Sequence, residues 1–289
     1  MSAASLPAGD ARSPVRWAGG KAKLVTTLAS YMPRGFGAYY EPMVGGGALF
    51  WHLANEGRLD GHHVFLSDAC EPLIRTYHVI RWELPELLRL LREKPITSEH
   101  FYSLRDADTK AMTHAEAAAW FLYLNKTCFN GLFRVNRKGI FNTPWGRWEK
   151  YERTPLVADE MNLAACASLL RKLDVHLRTC DFDQVPPERG DFVYFDPPYF
   201  PKSKTANFTS YGKVKFDVAA QIRLRDFALA LKARGVYVML SNSDTQETRA
   251  LYGSSGDFTL HETSAPRAIN SKADKRGLAD ELIITTYAP

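Results

Sequence analysis

The run Phe192-Val193-Tyr194-Phe195, closed by Asp196-Pro197-Pro198-Tyr199, constrains the fold of this chain more than any other stretch. Four consecutive apolar, β-prone residues bounded by Arg189-Gly190-Asp191 and a proline pair predict a buried strand that ends in a stiff turn. Two prolines remove two backbone donors and restrict the residue before each, which leaves the Asp196 carboxylate and the Pro197 carbonyl as a pair of acceptors at the sheet end. Beside the ring of Tyr199, such a pair suits a planar amino group whose hydrogens need acceptors and whose base needs a stacking face. An exocyclic amine is the expected target. Taken alone, Asp-Pro-Pro-Tyr fits equally well a plain strand end with Asp196 capping the next segment, so the rest of the chain must decide.

Ala38 to Pro42 reads as a first strand, followed by Val44-Gly45-Gly46-Gly47 and a helix through Ala54 that Gly57 is placed to end. Strand, glycine turn and helix open a nucleotide-binding α/β unit, although the spacing is not that of the dinucleotide fingerprint. A second strand, His63 to Ser67, runs into Asp68, and a carboxylate at that distance from the glycine turn can accept both hydroxyls of a ribose. Together they favour an adenosine-containing cofactor. Ahead of them, Pro14 to Lys21 carries the pair Gly19-Gly20 before a helix expected over Lys23 to Tyr31, and residues 1–13 are small, polar and expected to be disordered.

From Glu71 to about Trp148 the α/β rhythm gives way to helical patterns at Leu73 to Trp82, Glu86 to Arg92 and Ala115 to Leu124, then to a basic, aromatic loop over Asn125 to Tyr151. This stretch is expected to be an insertion. Helices at Ala158 to Leu173, Val218 to Ala233 and Thr245 to Leu251 then alternate with strands at Val175 to Thr179, Phe192 to Phe195 and Val236 to Leu240. Two final strands, Phe258 to Glu262 and Leu282 to Thr286, come without a helix between them, so an antiparallel hairpin should close an otherwise parallel seven-stranded sheet. With 289 residues, 45% of them hydrophobic, the chain can bury a full core.

Net charge is +5, and its distribution says more than its size. Residues 126–153 hold seven Lys/Arg against two Glu, residues 202–215 hold four Lys and no acid, and residues 267–276 hold four Lys/Arg against Asp274. The remainder is acidic: a body carrying basic loops, the layout of a nucleic-acid binder. No apolar run approaches the ~20 residues of a membrane span, and Met1 to Asp10 lack a signal-peptide layout, so a cytoplasmic protein is expected. The cysteines (Cys70, Cys128, Cys166, Cys180) show no C-x-x-C and the histidines no H-E-x-x-H, so no disulfide framework and no metal are expected.

The motifs Trp17-Ala18-Gly19-Gly20-Lys21, Glu41-Pro42-Met43-Val44-Gly45-Gly46-Gly47, Asp196-Pro197-Pro198-Tyr199 and Thr205 to Tyr211 resemble, in this order, those of the Dam-type DNA adenine-N6 methyltransferases. The resemblance runs from about Arg16 to Tyr287. It implies a Rossmann-like methyltransferase sheet, α/β and seven-stranded, with an inserted helical DNA-recognition domain: a catalytic domain over 14–72 and 149–289 and a recognition domain over 73–148. It implies S-adenosylmethionine as the methyl donor, leaving as S-adenosylhomocysteine, held by Trp17 to Lys21, Glu41, Pro42, Val44 to Gly47, Asp68 and Asp196. The stretch Phe121 to Arg134 resembles the family's target-recognition hairpin. By that likeness Arg134 reads a guanine, Phe129 and Asn130 work at the disrupted base pair, Arg147 holds a phosphate, and Arg16 reads the outer guanine of GATC. Asn125, Leu132, Asn136, Pro144, Lys204 and Asn207 complete the DNA-binding set. The partner implied is double-stranded DNA, and a monomer is expected by default. An RNA or N4-cytosine enzyme, another DNA site, and a catalytically silent DNA-binding module are the alternatives.

Overall fold

The structure, a computed structural model, describes residues 9–136, 139–150, 154–199, 216–266 and 278–289. Lys204 and Asn207, and the whole of the two basic stretches 202–215 and 267–276, lie outside the described residues. Seven strands form one sheet: β1 (Tyr39–Glu41), β2 (His63–Asp68), β3 (Asp174–Thr179), β4 (Phe192–Phe195), β5 (Tyr237–Ser243), β6 (Thr259–Pro266) and β7 (Leu278–Thr285). Their order is β3-β2-β1-β4-β5-β7-β6. β4 lies between β1 and β5 and is parallel to both, so its four residues are all buried, as a continuous apolar run requires of a strand covered on both faces. β7 inserts between β5 and β6, antiparallel to each, and supplies the expected closing hairpin. This is a seven-stranded, mostly parallel, Rossmann-like α/β fold. Strand order reverses between β1 and β4, which sets a switch point at the carboxyl ends Glu41 and Phe195.

Helices α1 (Val25–Ser30), α2 (Ala48–Asn55), α3 (Glu71–Trp82), α4 (Leu84–Arg92), α5 (Ser98–Arg105), α6 (His114–Thr127), α7 (Glu160–Lys172), α8 (Val218–Ala233) and α9 (Gln246–Gly253) complete the frame. α6 starts at a capping box, where Thr113 and Glu116 each bond the other's backbone N–H, and it is buried almost all round. It sits between α3, which also packs on β2 and β3, and α4 and α5 outside. Beyond α6 the chain turns back as a hairpin through the bridges Cys128 to Trp145 and Val135 to Phe141. A small aromatic core holds it: Phe133 lies 4.9 Å from Phe121 and 5.5 Å from Phe141, and Trp145 5.3 Å from Phe101. α5, where the sequence pattern predicts no helix, buries only Phe101, and the Thr97 side chain caps it by accepting from the His100 N–H.

Residues 11–13 do not lie outside the fold as the composition implies. Ala11 is buried, and three asparagines bind the N-terminal strap as a neighbouring strand would, each accepting from the N–H and donating to the carbonyl of one residue: Asn55 with Ala11, Asn162 with Arg12, Asn125 with Arg16. All six bonds are 2.7–3.1 Å long.

Candidate active site

Two loops meet at the switch point. After β1 the chain turns through Pro42 to Gly47 into α2, with Gly45 at φ 47° and Gly47 at φ 64°, a backbone that favours glycine. A Cβ on Gly45 would stand 2.6 Å from the Trp17 indole, so glycine lets the turn pass directly beneath that ring. Asp68 pins the turn from the end of β2: one carboxylate oxygen accepts from Gly45 N–H at 3.0 Å and the other from Cys70 N–H at 2.8 Å. The Tyr77 hydroxyl holds the Gly45 carbonyl, and Trp51 Nε1 the Gly46 carbonyl. Burial drives the Asp68 carboxyl up to about 6 against those two donors, and drives Glu41 up to about 8 although the Tyr39 hydroxyl donates to it at 2.7 Å.

At the end of β4, Asp196 Oδ1 receives Lys21 Nζ at 2.8 Å and Ser241 Oγ at 3.0 Å, and Ser241 in turn shares a hydrogen bond of 2.8 Å with the Tyr194 hydroxyl. Lys21 also donates to the Gly19 carbonyl and stands 4.4 Å from the centre of the Tyr199 ring, shielded from solvent. Its ammonium therefore occupies the space between carboxylate and ring where the sequence leads one to expect an amine of the substrate. The Tyr199 hydroxyl donates to Glu281 Oε2 at 2.8 Å. Gln221 fixes the proline turn by donating to the Pro198 carbonyl at 2.8 Å, which leaves Asp196 Oδ2 and the Pro197 carbonyl as the acceptors with no partner among the described residues.

One cleft of about 1710 Å³ joins these parts. Gly45 to Gly47, Asp68 and Glu71 line one side, Asp196 to Tyr199 the floor, and Met112, His114, Trp120 and Phe133 face them from the helical side. Trp17 spans the two walls, stacked 6.4 Å from Phe133. All the expected cofactor positions, Trp17 to Lys21, Glu41, Pro42, Val44 to Gly47, Asp68 and Asp196, line this one space.

Of the expected DNA-binding residues that the structure describes, all but one keep at least part of their surface exposed. Phe129 is 48% exposed at the hairpin start, Asn130 beside it is exposed at φ 54°, and Arg134, Pro144 and Arg147 (φ 56°) are exposed. Leu132 and Asn136 are half-buried, Asn136 accepting from Ile140 N–H. Arg134 is steadied by Asn142, whose Oδ1 accepts from its Nε at 2.8 Å, and the Arg16 guanidinium lies 5.1 Å from the centre of the Trp148 ring. Asn125 is the exception and a correction. It has no exposed surface, and its amide is taken up by the Arg16 backbone and the Gly131 carbonyl, so it holds the strap to the hairpin and has nothing left to offer a base.

Residues 17–269 match the D12 class N6 adenine-specific DNA methyltransferases. The chain belongs to this family. Similar full-length relatives are the type II methyltransferase M1.LlaDCHI of Lactococcus lactis subsp. cremoris, 35% identical over 280 residues (94% of each chain), and the type II methyltransferase M.MjaIII of Methanocaldococcus jannaschii, 37% identical over 295 residues (94% of this chain, 98% of the relative). The DNA adenine methylase of Escherichia coli K12 is 32% identical over 282 residues (96% of each). As an adenine-specific DNA methyltransferase, the chain holds its Asp-Pro-Pro-Tyr motif with four residues that sequence reasoning does not single out: Ser241, Tyr194, Glu281 and Gln221. Tyr194 lies two residues before Asp196, on the same face of the chain at the end of β4, and is open to inspection. The other three come from β5, β7 and α8, and no local pattern ties them to the motif.

Proposed function

We propose that this methyltransferase transfers a methyl group from S-adenosylmethionine to N6 of an adenine flipped out of duplex DNA, within GATC. The observation that carries the reading is the pair of acceptors without a partner among the described residues, Asp196 Oδ2 and the Pro197 carbonyl, beside the Tyr199 face in the cleft that also holds the glycine turn. The residues fit the donor: Gly45 lets the turn pass directly against the Trp17 indole that lines the cleft, each Asp68 oxygen retains a lone pair for a ribose hydroxyl, and the carboxylates of Asp68 and Asp196 suit a cation. When bound, S-adenosylmethionine supplies the electrophilic methyl on a sulfonium.

The chain supplies position and charge. The adenine amine, conjugated into its ring, is a poor nucleophile. Acceptors at Asp196 and Pro197 draw its nitrogen toward tetrahedral geometry and stabilise the positive charge that grows on it during attack. Lys21 has to withdraw as the base enters, exchanging its place against Asp196 and Tyr199 for the adenine. The surplus proton on N6 leaves to solvent after transfer. Flipping costs a few kcal/mol, offset by Tyr199 stacking and by Phe129 and Asn130 at the vacated pair. Arg134 and Arg16 read guanines; Arg147, with Lys204 and Asn207, holds the backbone. In this reading 14–72 and 149–289 bind the cofactor, 73–148 recognise DNA, and the enzyme works as a cytoplasmic monomer.

Transfer of labelled methyl to two short duplexes, one with GATC and one with that site scrambled, tests the reading. Label confined to the GATC duplex is expected. Equal labelling of both would refute the target site, and labelling of neither the substrate class.

A further inference from the structure

Far from the cleft, at the amino ends of β2 and β3, stand His63, Asp174 and His176. β2 and β3 pair in parallel with His63 opposite Asp174 and Phe65 opposite His176, so the alternation of side chains puts all three on one face while Val64, Leu66 and Val175 point into the core. Asp174 faces an imidazole on each oxygen: Oδ2 lies 2.5 Å from His63 Nδ1 and Oδ1 lies 3.4 Å from His176 Nε2. One ligand atom from each residue falls within 4.8 Å of the others. Around one tetrahedral zinc such atoms stand about 3.3 Å apart, so small rotations of exposed side chains close the set. Its walls are already fixed. The His176 ring stacks on Phe65 at 4.6 Å and 14°, and Phe65 stacks on Tyr40 at 4.4 Å and 9°.

We propose that His63, Asp174 and His176 form a site for one divalent zinc ion, with solvent completing the coordination. Two imidazoles and one carboxylate suit zinc and neighbouring transition metals, whereas magnesium and calcium require an oxygen set. The ion would tie the edge strand β3 to β2, a role separate from methyl transfer. The sequence expectation of no metal rests on close ligand spacing. Here the ligands come from two strands separated by 111 residues, which only the register brings together.

Calorimetric titration of the untagged, chelator-treated full chain with zinc chloride, and with magnesium chloride as control, tests the site. One zinc per chain and no magnesium is expected, with a higher midpoint of thermal unfolding in zinc. His63→Ala and His176→Ala should each weaken zinc binding at least ~10-fold, abolish the thermal shift and leave methyl transfer at the wild-type rate. Failure of the wild type to bind zinc overturns the proposal, and so does undiminished binding by the double variant. Cobalt substitution in the wild type needs no variant: visible d–d bands without a thiolate charge-transfer band are expected, and a thiolate band would move the metal to a cysteine.

Discussion

Replacing Asn125 by alanine separates two accounts of one residue. Its side chain makes three hydrogen bonds, from Arg16 N–H at 2.7 Å, to the Arg16 carbonyl at 2.7 Å and to the Gly131 carbonyl at 3.2 Å. In Asn125→Ala the three backbone groups lose their partner where water enters poorly. At about 1 kcal/mol per net hydrogen bond, and more for a group left buried and unpaired, the loss is roughly 3 kcal/mol. For a chain of this size each kcal/mol moves the unfolding midpoint by about 2–4 °C, so a fall of about 6–12 °C is expected. Asn55→Ala and Asn162→Ala serve as controls, because they break the same kind of strap bond away from the recognition hairpin. The assay pairs thermal unfolding with duplex binding well below the midpoint. A midpoint unchanged within ~1 °C, together with a selective loss of affinity for the cognate duplex, would refute the structural role and return Asn125 to the DNA-contacting set.

Ser241→Ala removes one of two donors from Asp196 Oδ1, so the carboxylate is less well aimed: kcat should fall by about 10-fold with the KM for DNA unchanged, the pattern of a contact that matters in the transition state. Glu41, raised to about 8, stays protonated in the folded chain but ionises near 4.5 when unfolded, so the folded state binds the extra proton and wild-type stability falls as pH rises between those values. The midpoint of Glu41→Gln minus that of wild type should therefore increase from pH 5 to pH 8, and a difference independent of pH would show that Glu41 is charged throughout. Arg147→Ala should weaken GATC and scrambled duplexes alike and reduce the log-log salt slope by about 0.9, the share of one phosphate; a loss confined to GATC would make Arg147 a base reader.

How much of the molecule is legible in the sequence depends on how local each cause is. β4 and α8 fall where the sequence places them because each end carries its own signal: the proline pair after Phe195, and Asp217 capping α8 through the Ala220 N–H. α5 escapes a sequence reading because its one buried residue, Phe101, gives no apolar stripe. The glycine turn, Asp68 and Asp196 meet in one cleft, as expected, because each sits at the end of its own strand. Ser241, Glu281 and Gln221 reach the site across the sheet, at separations from their partners of 45, 82 and 23 residues. Asn125 misleads for the opposite reason. The family resemblance places it with the DNA-contacting residues, and only its burial in the structure shows the amide already committed to backbone.

The central claim is that Asp196, at the end of β4, presents acceptors to an adenine amine. The most direct measurement is chromatographic analysis of the nucleosides released from a GATC duplex after a single turnover, for wild type and Asp196→Ala, with S-adenosylmethionine binding measured on both. We expect N6-methyldeoxyadenosine from the wild type and none from the variant, which should still bind the cofactor through the glycine turn and Asp68. Methyl on any other base, or N6 methylation undiminished in Asp196→Ala, would contradict it.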